Sequence, residues 1–113
     1  MFSSKHRLTK KDKPEAILKS GKKAMGKFMV LRFIRNQHKE HRFSVIISTK
    51  ISNKAVTRNR FRRQIQEIIR LNLETFPPKD HFDILILPKK AIIESTYAEL
   101  ETDLLSLISQ LKA

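Results

Sequence analysis

The sequence predicts an α/β (α+β) two-layer sandwich, with helices packed on a small sheet, and three observations carry that expectation. Residues 53–76 and 95–113 each repeat apolar side chains at helical spacing, with their own start and stop signals. Between them "FDILILP" (82–88) is a continuous apolar run of the kind that forms a strand covered on both faces. Upstream, "KFMVLRFIRN" (27–36) and "RFSVIIS" (42–48) are dense in strand formers. The order therefore reads helix, strand, strand, helix, strand, helix.

Each element has a local reason. Residues 1–11 are polar and basic and are expected to form a mobile arm on a single domain covering 1–113. "DKPEAILKSG" reads as a short helix: Asp12 caps it, Pro14 suits the first turn, Glu15 completes a capping box and Gly21 ends it. The two following strands, joined by the polar "QHKEH", look like an antiparallel pair, with His38 and His41 solvated in the turn. "FPPKD" stops the long helix, because two prolines cannot continue the hydrogen-bond ladder. In the last helix Thr96 and Glu99 make a second capping box. Tyr97, Leu100, Leu104, Leu107, Ile108 and Leu111 there share one face.

Composition limits the function. The 113 residues suffice for one core, and the absence of cysteine removes disulfides, thiolate chemistry and cysteine-bound zinc. No apolar run is long enough to cross a bilayer, and the N-terminus lacks the apolar middle of a secretory signal, so a cytoplasmic protein without a membrane partner is expected. Charge is the dominant signal: 24 Lys and Arg against 11 Asp and Glu leave a formal net charge of +13. Residues 1–70 hold 20 basic and 4 acidic side chains, whereas residues 71–113 hold 4 and 7. A basic block of this kind within a compact domain points to nucleic acid.

The long helix concentrates that charge. At 100° per residue, Phe61, Ile65, Ile68, Ile69 and Leu73 fall on one arc of about 140°, the stripe that packs on the sheet. Arg63 and Arg70 point the opposite way, flanked by Asn59 and Arg60; Arg62 lies at the edge of the stripe. Arg58 falls within its range one turn earlier, and burial unpaired would cost several kcal/mol, so it belongs at the rim of a groove. Residues 50–63 contain Lys50, Lys54, Arg58, Arg60, Arg62 and Arg63 and no acid. A face selected only for solubility would mix signs, so the arrangement favours phosphate.

"NKAVTRNRFRRQIQEIIR" after "FSVIISTK", supported by "RLTKKDKPEAILKSGKK" near the start, resembles the protein subunit of bacterial ribonuclease P over essentially the whole chain. The resemblance implies a fold like the second domain of ribosomal protein S5, in αβββαβα order with a left-handed βαβ crossover. An extra short strand is then expected, either around residues 22–26 or by splitting 27–36. It further implies that an RNA subunit hydrolyses precursor tRNA to remove its 5′ leader, with Mg²⁺ in the RNA-containing holoenzyme and no cofactor or metal on the protein. Lys50, Asn53, Lys54, Arg58, Asn59, Arg60, Arg62 and Arg63 would face RNA. Lys13, Pro14, Leu18, Lys19 and Phe33 would form the leader cleft. Lys13-Pro14 and Leu18 stand where relatives carry aromatic residues, which removes base stacking worth about 1–3 kcal/mol per base.

Three other functions compete. A structural RNA-binding protein like a ribosomal protein, with no processing role, would use the same helix. A protein-only nuclease would need acid–base or metal chemistry, for which "DHFD" (Asp80, His81, Asp83) is the best candidate and a polar turn opening a strand the better reading. A DNA reader would need a helix-turn-helix pair that the pattern lacks, so no DNA partner is expected.

Overall fold

In the computed structural model, which describes residues 6–9, 12 and 14–111, the chain runs α1 (Pro14–Ser20), β1 (Lys22–Met25), β2 (Met29–Arg35), β3 (Arg42–Val45), α2 (Ala55–Leu71), β4 (Phe82–Pro88) and α3 (Tyr97–Ile108). Short 3₁₀ turns occupy Leu73–Thr75 and Lys90–Glu94. This is the αβββαβα order, and β1 is the extra strand in the first of its two expected places.

The sheet order is β1-β2-β4-β3. β2 pairs antiparallel with β1 (Lys22↔Phe33 to Met25↔Val30) and with β4 (Met29↔Pro88 to Arg35↔Phe82). β3 pairs parallel with β4, from Arg42↔Asp83 to Val45↔Ile86. The expected hairpin between residues 27–36 and 42–48 is therefore absent: β4 lies between those strands. The cause is burial. Ile84, Leu85 and Ile86 are at most 1% exposed, which only a central strand covered on both faces provides. The loop after β2 crosses the end of β4 instead, with the Asn36 N–H donating to the His81 carbonyl at 2.8 Å.

Side-chain parity divides the two faces. Leu31, Phe33, Phe43, Val45, Ile84 and Ile86 join Phe61, Ile65, Ile68 and Ile69 of α2 and Leu100, Leu104, Leu107 and Ile108 of α3 in the main core. On the other face Leu85 packs with Ile17 of α1 and Leu8 in a separate small cluster. Each such side chain stabilises by about 1.5–3 kcal/mol when fully buried.

The long helix is shorter than the expected 53–76. Its final turn tightens to 3₁₀ at Leu73, where Asn72 Nδ2 donates back to the Ile68 carbonyl. The Thr96–Glu99 capping box of α3 forms with both hydrogen bonds. Of the apolar series there, Tyr97 is the exception at 38% exposed.

The N-terminal expectations fare differently. Within the arm, Leu8 is buried and its N–H donates to the Phe43 carbonyl at 2.8 Å, while Arg7 bridges Phe43 as a parallel partner. Residues 1–5, 10 and 11 lie outside the described residues. Among the described residues the Asp12 carboxylate makes no bond to α1: it accepts from Thr9 N–H and Oγ1 and from Arg42 Nη1, the last at 2.7 Å. An arginine ion pair outcompetes an open helix terminus. His41 is not solvated. It is 7% exposed; its Nε2–H donates to the Pro77 carbonyl and its Nδ1 accepts from the Phe82 N–H.

Candidate nucleic-acid interface

α2 presents its cations because its other face is committed to the sheet. Phe61, Ile65, Ile68 and Ile69 are at most 1% exposed, which aims Asn59, Arg60 and Arg63 at solvent. Leu73, the last residue of the stripe, is half-buried against the core. Arg60 lays its guanidinium over the Phe61 ring, 4.8 Å from the centroid, which fixes its stem while leaving its donors outward. Arg62 is half-buried, and its Nη1 donates to Asn59 Oδ1 at 2.7 Å. Asn59 thus orients a neighbouring cation.

The loop entering α2 adds Lys50, Asn53 and Lys54, all exposed. Arg58 is half-buried, as its position at the rim requires, and its Nη1 donates to the Ser52 carbonyl at 2.9 Å, tying that loop to the helix. Ser52 Oγ also accepts from the Lys54 N–H. The N-cap is Lys54, which supplies no side-chain cap, and the first turn holds no acid. The positive end of the helix dipole and the amides of the first turn therefore add to the side-chain charge. Arg70 differs from the rest: Glu67 pairs with it at 2.7 Å, and this hydrogen bond holds the Glu67 carboxyl below its ordinary range.

The proposed cleft residues separate. Pro14 opens α1, half-buried, Leu18 is 44% exposed and Lys19 is exposed. Lys13 lies outside the described residues. Phe33 is not on the cleft. It is 3% exposed, in the main core, edge-on to Phe82 with centroids 5.8 Å apart. The parity of β2 explains the correction: Met29, Leu31 and Phe33 point to the α2 side, so Val30, Arg32 and Ile34 face the α1 side. There Arg32 pairs across the sheet with Leu85, and its Nη2 donates to the Leu18 carbonyl. Its Nε is buried with no partner among the described residues. Leu87, half-buried, and Ile46, exposed, extend the same face. Sequence reasoning did not single out Arg32 on the α1 face, although a single cation in "MVLRFI" marks the solvent-side parity.

"DHFD" does not converge. Asp80 pairs with Arg35 at 2.9 Å, and Asp83, 8% exposed, takes Arg42 Nε and Nη2 on its two oxygens and Asn36 Nδ2 on one of them. Among the described residues no group of three or more His, Asp or Glu is placed to hold a metal.

Comparison with known proteins agrees with this geometry. The family model for ribonuclease P matches residues 2–112. A ribonuclease P protein component from Fusobacterium nucleatum is 35% identical over 101 residues, covering 86% of this chain and 88% of that one. One from Clostridium kluyveri is 30% identical over 105 residues, covering 93% of each. The solved RNase P protein from Thermotoga maritima superposes with a TM-score of 0.86 at 27% identity, over 95% of this chain and 98% of that one. A cationic, sheet-packed α2, the αβββαβα order and matches that span nearly every residue lead to one conclusion: the chain belongs to the ribonuclease P protein component family.

Proposed function

We propose that this chain is the RNA-binding subunit of a tRNA-processing ribonucleoprotein, and that α2 and its entry loop grip the RNA subunit while bond breaking takes place in that RNA. One observation carries the reading: Lys50, Lys54, Arg58, Arg60, Arg62 and Arg63 gather at the leading end of a rigidly packed helix without a single acid among residues 50–63. Anionic RNA and anionic precursor tRNA repel, and a cationic body between them offsets that repulsion and releases counterions. Mg²⁺ belongs in this reading to the RNA, since Asp83, the best acidic candidate here, is engaged by Arg42. The 5′ leader of the precursor is assigned to the face formed by α1, Arg32, Val30, Ile46 and Leu87.

Reconstitution tests the reading. Added to its cognate RNA subunit at low Mg²⁺, the protein accelerates leader removal, and purified protein free of RNA leaves precursor tRNA intact. RNA-free cleavage lost on Asp83→Ala would overturn it; no acceleration would favour a purely structural RNA binder. Arg60→Ala with Arg63→Ala weakens RNA-subunit binding and flattens its salt dependence. At about 0.9 in log–log slope per phosphate, two lost contacts remove about 1.8, so between 50 and 200 mM salt the variant loses about twelvefold less affinity than the parent. Its thermal stability stays close to the parent's, because both side chains are exposed.

A further inference from the structure

A second cationic feature lies beside β3, off the outward face of α2. A groove of about 280 Å³ is walled by Arg7 and Leu8 of the N-terminal segment, Ser44 and Val45 of β3, and Arg62 and Gln66 of α2. A groove of that size admits a phosphodiester group. None of its lining residues is acidic. Among the described residues no carboxylate pairs with either arginine.

The backbone of Arg7 and the side chain of Arg62 are restrained. The bridge to Phe43 fixes the backbone at Arg7, and Leu8 anchors the segment against Ile17 and Leu85. Arg62 is restrained by Asn59 at 2.7 Å through one nitrogen, leaving further N–H donors for a ligand. Two guanidinium groups line one groove, and among the described residues no carboxylate lines it with them. An anion balances that charge, and the Ser44 hydroxyl and Gln66 amide add uncharged donors suited to phosphate oxygens.

We propose that this groove is a phosphodiester site in which Arg7 and Arg62 grip one RNA phosphate, joining the N-terminal segment to α2. The proposal rests on the RNA-binding reading above. The phosphate comes from the RNA subunit or from the precursor leader, and the two sources are separable.

Binding is measured for Arg7→Ala, Arg62→Ala and the double variant, with Arg7→Lys and melting curves as folding controls. One arm uses the RNA subunit alone; the other uses the assembled holoenzyme with precursor against mature tRNA. Each single variant loses about tenfold in one arm, the size of one charge-assisted hydrogen bond. The double variant falls no more than about threefold below the weaker single, because one phosphate is lost only once. Arg7→Lys keeps the charge without the two-pronged geometry and falls between parent and alanine. A loss in the first arm assigns the phosphate to the RNA subunit, and a loss confined to precursor assigns it to the leader. Unchanged binding for Arg7→Ala in both arms, or single losses that multiply to about a hundredfold, would overturn the shared site. Arg60→Ala/Arg63→Ala runs alongside: if it weakens binding while Arg7→Ala does not, the groove fails and the RNA-binding reading stands.

Discussion

Arg42 ties the N-terminal segment to the sheet, and removing it has a size that follows from its contacts. Its guanidinium donates Nε and Nη2 to the two oxygens of Asp83 at 2.8 and 2.7 Å and Nη1 to Asp12 at 2.7 Å. The Arg42 and Asp83 side chains are 16% and 11% exposed. Breaking a buried pair by deleting one partner costs about 3–5 kcal/mol, mostly from the charge left behind. Residual solvent contact and Asn36 Nδ2, which still donates to Asp83, place Arg42→Ala at the low end, about 3 kcal/mol. With an unfolding entropy of about 0.24 kcal/mol/K for a chain of this length, the melting temperature falls by about 12 °C. Thermal denaturation followed by circular dichroism at pH 7 reads it directly. Asp12→Ala, which leaves the Asp83 pair intact, costs about 1 kcal/mol. Arg42→Leu with Asp83→Leu recovers most of the loss, because an apolar pair there strands no charge. An Arg42→Ala protein melting within about 3 °C of the parent would refute the reasoning.

Acid should weaken the fold through His41. Burial, opposed by the Pro77 carbonyl and reinforced by His81 and His6 with Glu40 acting the other way, lowers its imidazole below the ordinary value. The unfolded chain then binds the proton more readily, so this stability is complete above about pH 6.5 and declines as pH falls through the folded value. Melting temperature should drop between pH 7 and 5 in the parent and less steeply in His41→Gln; parallel curves would count against the assignment. Thr96→Ala should cost about 1 kcal/mol by removing the cap of α3, a shift of about 4 °C by calorimetry. Phe33→Ala should cost about 3–5 kcal/mol and shorten the native plateau in urea, whereas a cleft-floor residue would spare stability and weaken leader binding alone.

Much of this was readable along the chain because it is local. "FDILILP" became β4 residue for residue, the stripe Phe61, Ile65, Ile68, Ile69 became the buried face of α2, and Thr96 and Glu99 formed their capping box. The cationic end of α2 was equally legible, since a helix packed through one stripe can point its arginines only outward. Strand pairing was not. Nothing in residues 27–48 says that β2 and β3 each prefer β4 to one another, because the preference lives in a segment about 40 residues away. Phe33 was misplaced for a related reason: in "MVLRFI" both parities carry apolar residues, and Arg32 alone marks which of them faces away from the core. Arg7 sat in a tract read as a mobile arm, and its place on the same groove as Arg62 required the fold.

The central position of β4 also bears on how the protein is made. Among the named strands β3 pairs with β4, its other edge taking the bridge from Arg7, and β2 has β1 beside it until residues 82–88 arrive. A ribosome that has released about two thirds of the chain therefore holds one complete hairpin and a greasy, strongly basic helix with no finished surface to settle on. Assembly waits for the last third, then closes through contacts distant in the chain, a topology that folds slowly and leaves the nascent polycation open to any nearby polyanion.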